Sequence, residues 1–205
     1  MCCIRCAVAA LLLLWPAAAT IAQTDASIRT KKPESGDVGV VYVPTPHDIV
    51  AKMLSLAAVK KSDVVYDLGC GDGRIVVTAA KKFGCRAAGF DIDPERIKEA
   101  RANVKKNNVG DLVKIQQEDV FKLDLAPASV ITLYLLPSLN VKLIPQLEKL
   151  APGARIVSHD FDMAGVTPDK KITIVSKEDN VEHTLYLWTI PLKRETPKPK
   201  STREF

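Results

Sequence analysis

A glycine-rich run at residues 67–73 constrains the fold of this chain more than any other segment. It reads Asp-Leu-Gly-Cys-Gly-Asp-Gly, follows a short apolar stretch, and opens a helical pattern of apolar residues. Asp91 comes 18 residues after the last glycine, at the end of another apolar run. Glycines between a strand and a helix let a ligand approach the backbone, and an acid at the tip of the next strand can accept hydrogen bonds from ribose hydroxyls. The pair predicts a pocket for a cofactor that carries a nucleoside, rather than a turn that binds nothing.

The glycine spacing indicates which class of cofactor this pocket takes. A dinucleotide-binding turn follows the pattern G-x-G-x-x-G, whereas Gly69, Gly71 and Gly73 follow G-x-G-x-G. Asp67 and Asp72 bring two carboxylates to the turn, and these would repel a pyrophosphate. Spacing and charge therefore disfavour a nucleotide-dependent oxidoreductase and favour a cofactor with positive charge.

Apolar patterns typical of strands and helices alternate along the body of the chain. We predict five strands separated by helices, followed by a hairpin: Val64–Leu68, Ala87–Ile92, Leu112–Gln117, Val130–Leu136 and Arg155–Phe161, then Ile172–Ser176 paired with His183–Ile190. Among the helices, Thr45 should cap the first, residues 74–83 should form the second, Asp93 should cap the third, and Pro145 should divide the fourth. This alternation predicts an α/β fold with one doubly wound, mostly parallel sheet of seven strands and helices on both faces.

The first 22 residues differ in composition from the rest. Arg5 precedes an apolar run from Ala7 to Trp15, and small residues follow as far as Ala22. This pattern is typical of a signal peptide cleaved after Ala22 or Ala19, and an uncleaved membrane anchor stays open as the alternative. We therefore divide the chain into a signal peptide or anchor (1–22), a flexible leader (23–39), a main domain (40–192) and a basic disordered tail (193–205).

The formal charge of +5 lies outside the main domain, because residues 36–192 hold equal numbers of basic and acidic side chains. A neutral domain argues against a nucleic-acid partner, which usually selects a basic patch. Of the five cysteines, Cys70 and Cys85 alone lie beyond the N-terminal segment, at opposite ends of neighbouring predicted strands, so we expect no disulfide. No cluster of cysteine and histidine has the spacing of metal ligands, and we expect no metal.

The run at residues 67–73 resembles the first motif, D/E-x-G-x-G-x-G, of the class I S-adenosylmethionine-dependent methyltransferases. The resemblance implies that family's sheet, in which an antiparallel hairpin follows the fifth strand, and S-adenosyl-L-methionine as the cofactor. It also implies site residues: Asp67, Gly69, Gly71 and Gly73 around the methionine part of the cofactor, Asp91 at the ribose, and Asp119 at the adenine amino group, with Glu118 as the competing acid.

Four segments together resemble a smaller family within this class: Tyr42–Pro46, the glycine run, Tyr134–Pro137 and Ser158–Met163. That family includes mitochondrial protein-lysine methyltransferases that act on membrane proteins of energy metabolism, and many uncharacterised bacterial relatives. It implies methyl transfer to a protein lysine, with Tyr42 and Thr45 in a lid over the cofactor. The N/D-P-P-Y run of enzymes that methylate adenine or glutamine is absent after the fourth strand. The export-like N-terminus departs from the family pattern.

Methyl transfer to a lysine requires alignment of donor and acceptor and loss of the lysine proton, whose reference pKa is about 10.4. Our candidates for this work are Tyr134, His159, Asp160 and Asp162. His159 is either a proton acceptor or a structural hydrogen-bonding residue, and Tyr134 either lines the acceptor channel or packs in the core. Asp160 and Asp162 alternate with Phe161 and should share a face, where they meet the substrate ammonium or cap the next loop.

These observations predict a monomeric enzyme with a protein substrate and no nucleic-acid partner. A small-molecule methyltransferase and a non-catalytic S-adenosylmethionine-binding protein stay open as alternatives. The N-terminal segment predicts export to the periplasm or attachment to a membrane. A cytoplasmic or mitochondrial location stays open, because S-adenosylmethionine is made in the cytosol.

Overall fold

The computed structural model describes residues 42–195. The segments predicted as signal peptide or anchor (1–22) and as flexible leader (23–39) lie outside the described residues, as do residues 196–205 of the predicted tail. Within the described part, no helix is both long enough and apolar enough to cross a membrane.

Helices and strands alternate through most of this part of the chain. In order, the elements are α1 (His47–Leu56), β1 (Val64–Leu68), α2 (Arg74–Phe83), β2 (Arg86–Asp91), α3 (Pro94–Lys106), β3 (Val113–Gln117), a short 3-10 helix (Val120–Lys122), β4 (Val130–Leu133), α4 (Pro137–Leu147), β5 (Arg155–His159), β6 (Val166–Thr167), β7 (Lys170–Val175), β8 (Glu182–Thr189) and β9 (Lys193–Arg194).

One sheet contains seven of these strands, in the order β3-β2-β1-β4-β5-β8-β7. Strands β1 to β5 are parallel, whereas β8 pairs antiparallel with β5, and β7 with β8. The strand order reverses between β1 and β4, and ligands of such sheets bind beyond the carboxyl ends of the strands at that point. The predicted sheet, with its terminal antiparallel hairpin, is confirmed.

Each face of the sheet has its own apolar core, as central strands buried on both sides require. On one face the strands pack against α1, α2 and α3, through residues such as Met53 and Val76. On the other face they pack against α4 and the 3-10 helix, through residues such as Leu143 and Trp188. Trp188 is 1% exposed and belongs to the core, as its alternation with Tyr186 predicted.

Local signals predicted some helix ends and missed others. Helix α2 has the predicted ends, and Gly84 ends it in a left-handed conformation with φ of 66°. Asp93 caps α3 by accepting from the Glu95 amide at 2.8 Å. Pro145 lies inside α4 instead of dividing it, because it stands in the last turn, where few hydrogen bonds depend on its missing N–H. Thr45 does not cap α1, since its hydroxyl is bonded to a distant histidine instead.

A second, two-stranded sheet pairs β6 with β9 and was not predicted. Lys193 Nζ lies 2.7 Å from Asp169 Oδ1, and an Arg194 guanidinium nitrogen lies 2.6 Å from Glu148 Oε1. The assignment of residues 193 and 194 to a disordered tail is therefore wrong. Their basic side chains form ion pairs, and their backbone forms a strand.

Candidate functional site

The glycine loop, residues 69–73, joins β1 to α2 at the carboxyl edge of the sheet. Gly69, Gly71 and Gly73 have positive φ angles of 81°, 51° and 75°, which residues with a Cβ rarely adopt. The amides of Gly69 and Cys70 both donate to the Phe90 carbonyl at 2.9 Å. These bonds hold the loop against the end of β2, where Asp91 lies.

Asp91 and the glycine loop form one connected unit. Asp91 Oδ2 accepts from the Gly71 amide at 2.9 Å, and Oδ1 accepts from the Asp93 amide at 3.0 Å. Each carboxylate oxygen has a further lone pair, so both can still accept a hydrogen bond from a ligand hydroxyl. The neighbouring Ile92 is 71% exposed and offers an apolar surface at the same edge, which was not predicted from the sequence.

Tyr42 covers the glycine loop. Its hydroxyl accepts from the Asp72 amide at 3.2 Å, and the Arg96 guanidinium lies over its ring, 4.8 Å from the centroid. Arg74 Nη2 lies 2.7 Å from Asp72 Oδ2, and Arg74 Nη1 donates to the Thr45 carbonyl at 2.8 Å. The segment predicted as a lid therefore contacts the loop through Tyr42 and is held in place by Arg74.

The two acids of the glycine motif differ in their electrostatics. Although burial opposes it, hydrogen bonds from Arg74 hold the pKa of Asp72 below its usual range, and the ion pair balances its charge. Asp67 is 2% exposed, and its Oδ1 accepts from Thr132 Oγ1 at 2.6 Å. Its Oδ2 has no hydrogen-bond partner among the described residues, and burial raises the pKa of Asp67 to about 7. This oxygen is a place for a cationic or hydrogen-donating group of a ligand.

The two acids after β3 lie beside Asp91. The Glu118 amide donates to the Asp91 carbonyl at 3.0 Å, which brings the ends of β2 and β3 together. Asp119 is half-buried and caps the 3-10 helix, its Oδ1 accepting from the Phe121 amide at 3.0 Å, whereas Glu118 is exposed. This burial favours Asp119 over Glu118 as the acid that faces a ligand at the edge.

Aromatic side chains gather beyond the ends of β4 and β5. The ring of Tyr134 lies 4.1 Å from that of His159 and 5.9 Å from that of Phe161, measured between centroids. Burial, and the nearby negative charge of Asp160, raise the pKa of Tyr134. Tyr134 is therefore a neutral phenol at neutral pH, with its ring against the other two.

His159 is fully buried, and both of its ring nitrogens have hydrogen-bond partners. Nδ1 lies 3.0 Å from Thr45 Oγ1, and Nε2 lies 2.8 Å from His183 Nδ1. Burial lowers the pKa of His159 to about 4, although Asp160 is close by. A neutral imidazole with weak proton affinity is better suited to positioning its neighbours than to accepting a proton from lysine.

The predicted shared face of Asp160 and Asp162 is wrong, because β5 ends at His159 and the alternation ends with it. Asp160 has a φ of 57°, and its Oδ1 accepts from the Thr184 amide at 2.8 Å. Asp162 is exposed. The structure thus places Asp160 in a hydrogen-bonded cluster and Asp162 on the surface.

His183 and Asp179, neither of which was predicted from the sequence, complete this cluster. His183 Nδ1 lies 3.1 Å from Asp160 Oδ2, and His183 Nε2 lies 3.1 Å from Asp179 Oδ2. Although burial opposes it, these hydrogen bonds raise the pKa of His183. His183 arrives here because β8 returns antiparallel beside β5, with Leu185 opposite His159. The one sequence signal for this contact was the predicted hairpin.

Comparisons with known proteins identify the family. The family model described as ANTKMT methyltransferase domain matches residues 67–170, half of the chain. A protein-lysine N-methyltransferase of Saccharolobus islandicus is 47% identical over 153 residues, which are 74% of this chain and 94% of the relative. The chain belongs to the ANTKMT methyltransferase family. This ANTKMT-family chain is also 28% identical over 129 residues to a human lysine N-methyltransferase named for its ATP synthase substrate, which it matches over 54% of that protein's length and 62% of its own.

A solved structure and a second family model extend the comparison. The crystal structure of an RNA methyltransferase from Salinibacter ruber, in complex with S-adenosyl-L-homocysteine, is 49% identical, with a TM-score of 0.67; the match covers 77% of this chain and 98% of that one. A model described as histone methylation protein DOT1 matches residues 21–112. The ANTKMT-family chain is an S-adenosylmethionine-dependent methyltransferase, as the sequence predicted.

The residues at the carboxyl edge fit this cofactor. The unpartnered Asp67 Oδ2 suits a cationic ammonium or sulfonium, and the glycine loop presents backbone without Cβ atoms. Asp91 offers lone pairs for the ribose hydroxyls, and Ile92 offers an apolar surface for the adenine. When bound, the cofactor supplies an electrophilic methyl group on a positively charged sulfur.

Proposed function

We propose that this enzyme transfers a methyl group to the side-chain nitrogen of a lysine in a protein substrate. The observation that carries the proposal is the 47% identity to a protein-lysine N-methyltransferase, over 94% of that relative's length. The human and rat lysine N-methyltransferases named for ATP synthase support it at lower identity. The substrate protein and the number of methyl groups added stay outside the proposal.

The cofactor would lie along the carboxyl ends of β1, β2 and β3. Asp67 would balance its positive charge, the glycine loop would contact its methionine part, and Asp91 would accept from the ribose hydroxyls. Asp119 would accept from the adenine amino group, and Tyr42 would cover the bound molecule from above the loop. Thr45 would support this lid rather than touch the cofactor, since its hydroxyl and carbonyl are bonded to His159 and Arg74.

The acceptor would enter beside β5, where the surface is acidic. Asp160 and Asp179 both contact His183, and the exposed Asp162 follows on the same segment. Carboxylates here attract a lysine ammonium and would repel the phosphates of RNA. The rings of Tyr134 and Phe161 would exclude water from the reacting nitrogen, and this desolvation favours the neutral amine that must attack the methyl group.

His159 would act as a positioning residue in this scheme. Its ring joins Thr45 of the lid, His183 of the hairpin and the ring of Tyr134. It therefore links the cofactor side of the site to the acceptor side. A base for the lysine proton would be water or one of the acids at this surface.

The test uses the full chain with S-adenosylmethionine labelled in its methyl group, and protein and RNA fractions from its own organism. We expect label in a protein band that survives nuclease, is removed by protease and yields methyl-lysine on hydrolysis. Asp91→Ala should abolish this labelling, whereas Glu118→Ala, which changes the exposed neighbour of Asp119, should keep it.

RNA is the second candidate acceptor, because the Salinibacter ruber relative is an RNA methyltransferase with 49% identity. Label that is removed by nuclease and kept after protease would support this function and contradict lysine methylation. Label confined to small molecules would indicate a small-molecule methyltransferase. Cofactor binding without transfer to any fraction would indicate a non-catalytic binding protein.

We also propose that residues 1–22 direct the chain to a membrane, where they are cleaved or stay as an anchor. The apolar run from Ala7 to Trp15 supports this proposal. N-terminal sequencing of the protein from fractionated cells tests it. A new N-terminus at Thr20 or Gln23 would indicate cleavage, an intact Met1 in the membrane fraction would indicate an anchor, and an intact Met1 in the soluble fraction would contradict both.

A further inference from the structure

Three ligand-type atoms of separate side chains converge beside the acceptor surface. His159 Nε2 and His183 Nδ1 lie 2.8 Å apart. Asp160 Oδ2 lies 3.1 Å from His183 Nδ1 and 3.3 Å from His159 Nε2. The circle through the three atoms has a radius of about 1.8 Å, so an ion slightly off their plane can reach all three at the roughly 2.0–2.2 Å of zinc–nitrogen and zinc–oxygen bonds.

Hydrogen bonds alone leave this triangle unsatisfied in every protonation state. With the proton on His159 Nε2, the lone pairs of His183 Nδ1 and Asp160 Oδ2 face each other at 3.1 Å. With the proton on His183 Nδ1, the lone pairs of His159 Nε2 and Asp160 Oδ2 face each other at 3.3 Å. With both nitrogens protonated, two donors face each other at 2.8 Å. A cation at the centre would satisfy all three atoms at once.

The outer atom of each side chain has a partner that fixes its orientation. His183 Nε2 lies 3.1 Å from Asp179 Oδ2, and His159 Nδ1 lies 3.0 Å from Thr45 Oγ1. Asp160 Oδ1 accepts from the backbone amide of residue 184 at 2.8 Å. Metal-binding histidines usually have such outer partners, carboxylates among them, which hold the ring and select the nitrogen that faces the metal.

The backbone at Asp160 is also arranged for this convergence. Its φ of 57° is uncommon outside glycine, although aspartate tolerates it better than most residues. This conformation follows directly after β5 and brings the imidazole and the carboxylate of consecutive residues to the same point. The His159 side chain is fully buried, whereas that of Asp160 is 28% exposed, so the cluster is enclosed on one side and reachable from solvent on the other.

We propose that His159, Asp160 and His183 bind one divalent transition-metal ion, zinc by the chemistry of its ligands. Two imidazole nitrogens and one carboxylate oxygen suit zinc and leave a fourth position for water or another ligand. No local pattern predicts this site, because its two histidines are 24 residues apart and meet through the antiparallel return of β8. The proposal does not depend on the identity of the methyl acceptor.

The test measures zinc binding to the full chain after dialysis against a chelator. Because thiolates also bind zinc, the experiment uses a background in which Cys2, Cys3 and Cys6 are replaced by serine. Calorimetric titration with zinc chloride should give one ion per chain. Titration with cobalt should give visible bands of a bound ion without the near-ultraviolet absorption of a thiolate ligand.

Four variants locate the ion. His183→Ala and Asp160→Asn should each abolish binding, and Asp160→Asn preserves side-chain size, so it separates ligand loss from misfolding when folding is checked by circular dichroism. Asp179→Asn, which alters an outer partner, should weaken binding about 10–100-fold. His47→Ala, which removes a histidine elsewhere on the surface, should bind as the parent does. Absence of a bound ion in the parent, or parent-like binding by Asp160→Asn and His183→Ala, would overturn the proposal.

Discussion

The ring of Tyr42 lies so close to Gly71 that no other residue fits beneath it. A Cβ on Gly71 would stand 2.1 Å from Tyr42 Cε2, whereas carbon atoms in contact are roughly 3.5–4.0 Å apart. The φ of Gly71 is 51°, which adds a second reason for glycine. The lid and the loop are therefore complementary in shape, and this contact lets the Tyr42 hydroxyl reach the Asp72 amide.

Gly71→Ala should therefore impair cofactor binding. The left-handed conformation alone costs alanine about 1–2 kcal/mol, and the added methyl group must displace Tyr42. We expect the affinity for S-adenosylmethionine to fall more than about tenfold, measured by calorimetry. Gly110→Ala is the matched control, since a Cβ there meets nothing within 4 Å. Equal affinity in the two variants would contradict the placement of Tyr42 over the loop.

Asp67 should make the stability of the cofactor-free enzyme depend on pH. Its pKa is about 7 in the folded chain and 3.8 ordinarily, so between these values the folded state holds a proton that the unfolded state has lost. Stability contributed by this proton is present below about pH 4 and is lost as the pH rises toward 7. The free energy of unfolding of Asp67→Asn should lack this contribution, and denaturant titrations at several pH values compare the two proteins.

The same residue predicts how cofactor binding responds to pH. A cationic ligand beside Asp67 favours its ionised form, so the parent's affinity should rise from about pH 5 to about pH 7.5. Asp67→Asn should bind more weakly and lose this part of the pH dependence. Retention of the parent's affinity by the variant would show that Asp67 does not face the cofactor's charge.

Asp119 and Glu118 provide a comparison between neighbouring acids. Asp119→Asn keeps an oxygen for the Phe121 amide but replaces the other oxygen with a donor, which would oppose the adenine amino group. Loss of about one hydrogen bond should weaken binding roughly tenfold. Glu118→Gln should leave the affinity unchanged, because Glu118 is exposed. A larger loss in the Glu118 variant would reverse the assignment.

Tyr134 should act through its ring more than through its hydroxyl. Tyr134→Phe keeps the contacts with His159 and Phe161, so steady-state kinetics should give a kcat within a few-fold of the parent. Tyr134→Ala opens the acceptor side to water and should lower kcat about 10–100-fold with little change in cofactor affinity. A larger loss for the phenylalanine variant would instead assign a direct role to the phenol.

The cofactor half of the site could be predicted because its parts are close in sequence. The glycine loop, Gly84 and Asp93 each determine their own backbone conformation, and strand alternation brings Asp91 to the loop. Such local signals require no knowledge of distant contacts. They identified the first three strands within one residue at either end.

The acceptor half depends on contacts between distant residues, and prediction failed there. Thr45 has the sequence context of a helix cap but is bonded to His159, 114 residues away. Asp160 has the context of a continuing strand, whereas its hydrogen bonds to the hairpin hold it in a left-handed conformation. The role of His183 could not be predicted locally, because it depends on the register between β5 and β8.

The antiparallel return of β8 also orders the events of synthesis. The ribosome completes the glycine loop and Asp91 about 90 residues before it adds His183. A nascent chain at that intermediate stage carries every backbone turn of the cofactor pocket, yet His159 still lacks the partner on its Nε2 side. Translation arrested before β8 would therefore release a product with the nucleoside-binding edge intact and the opposite wall of the site missing.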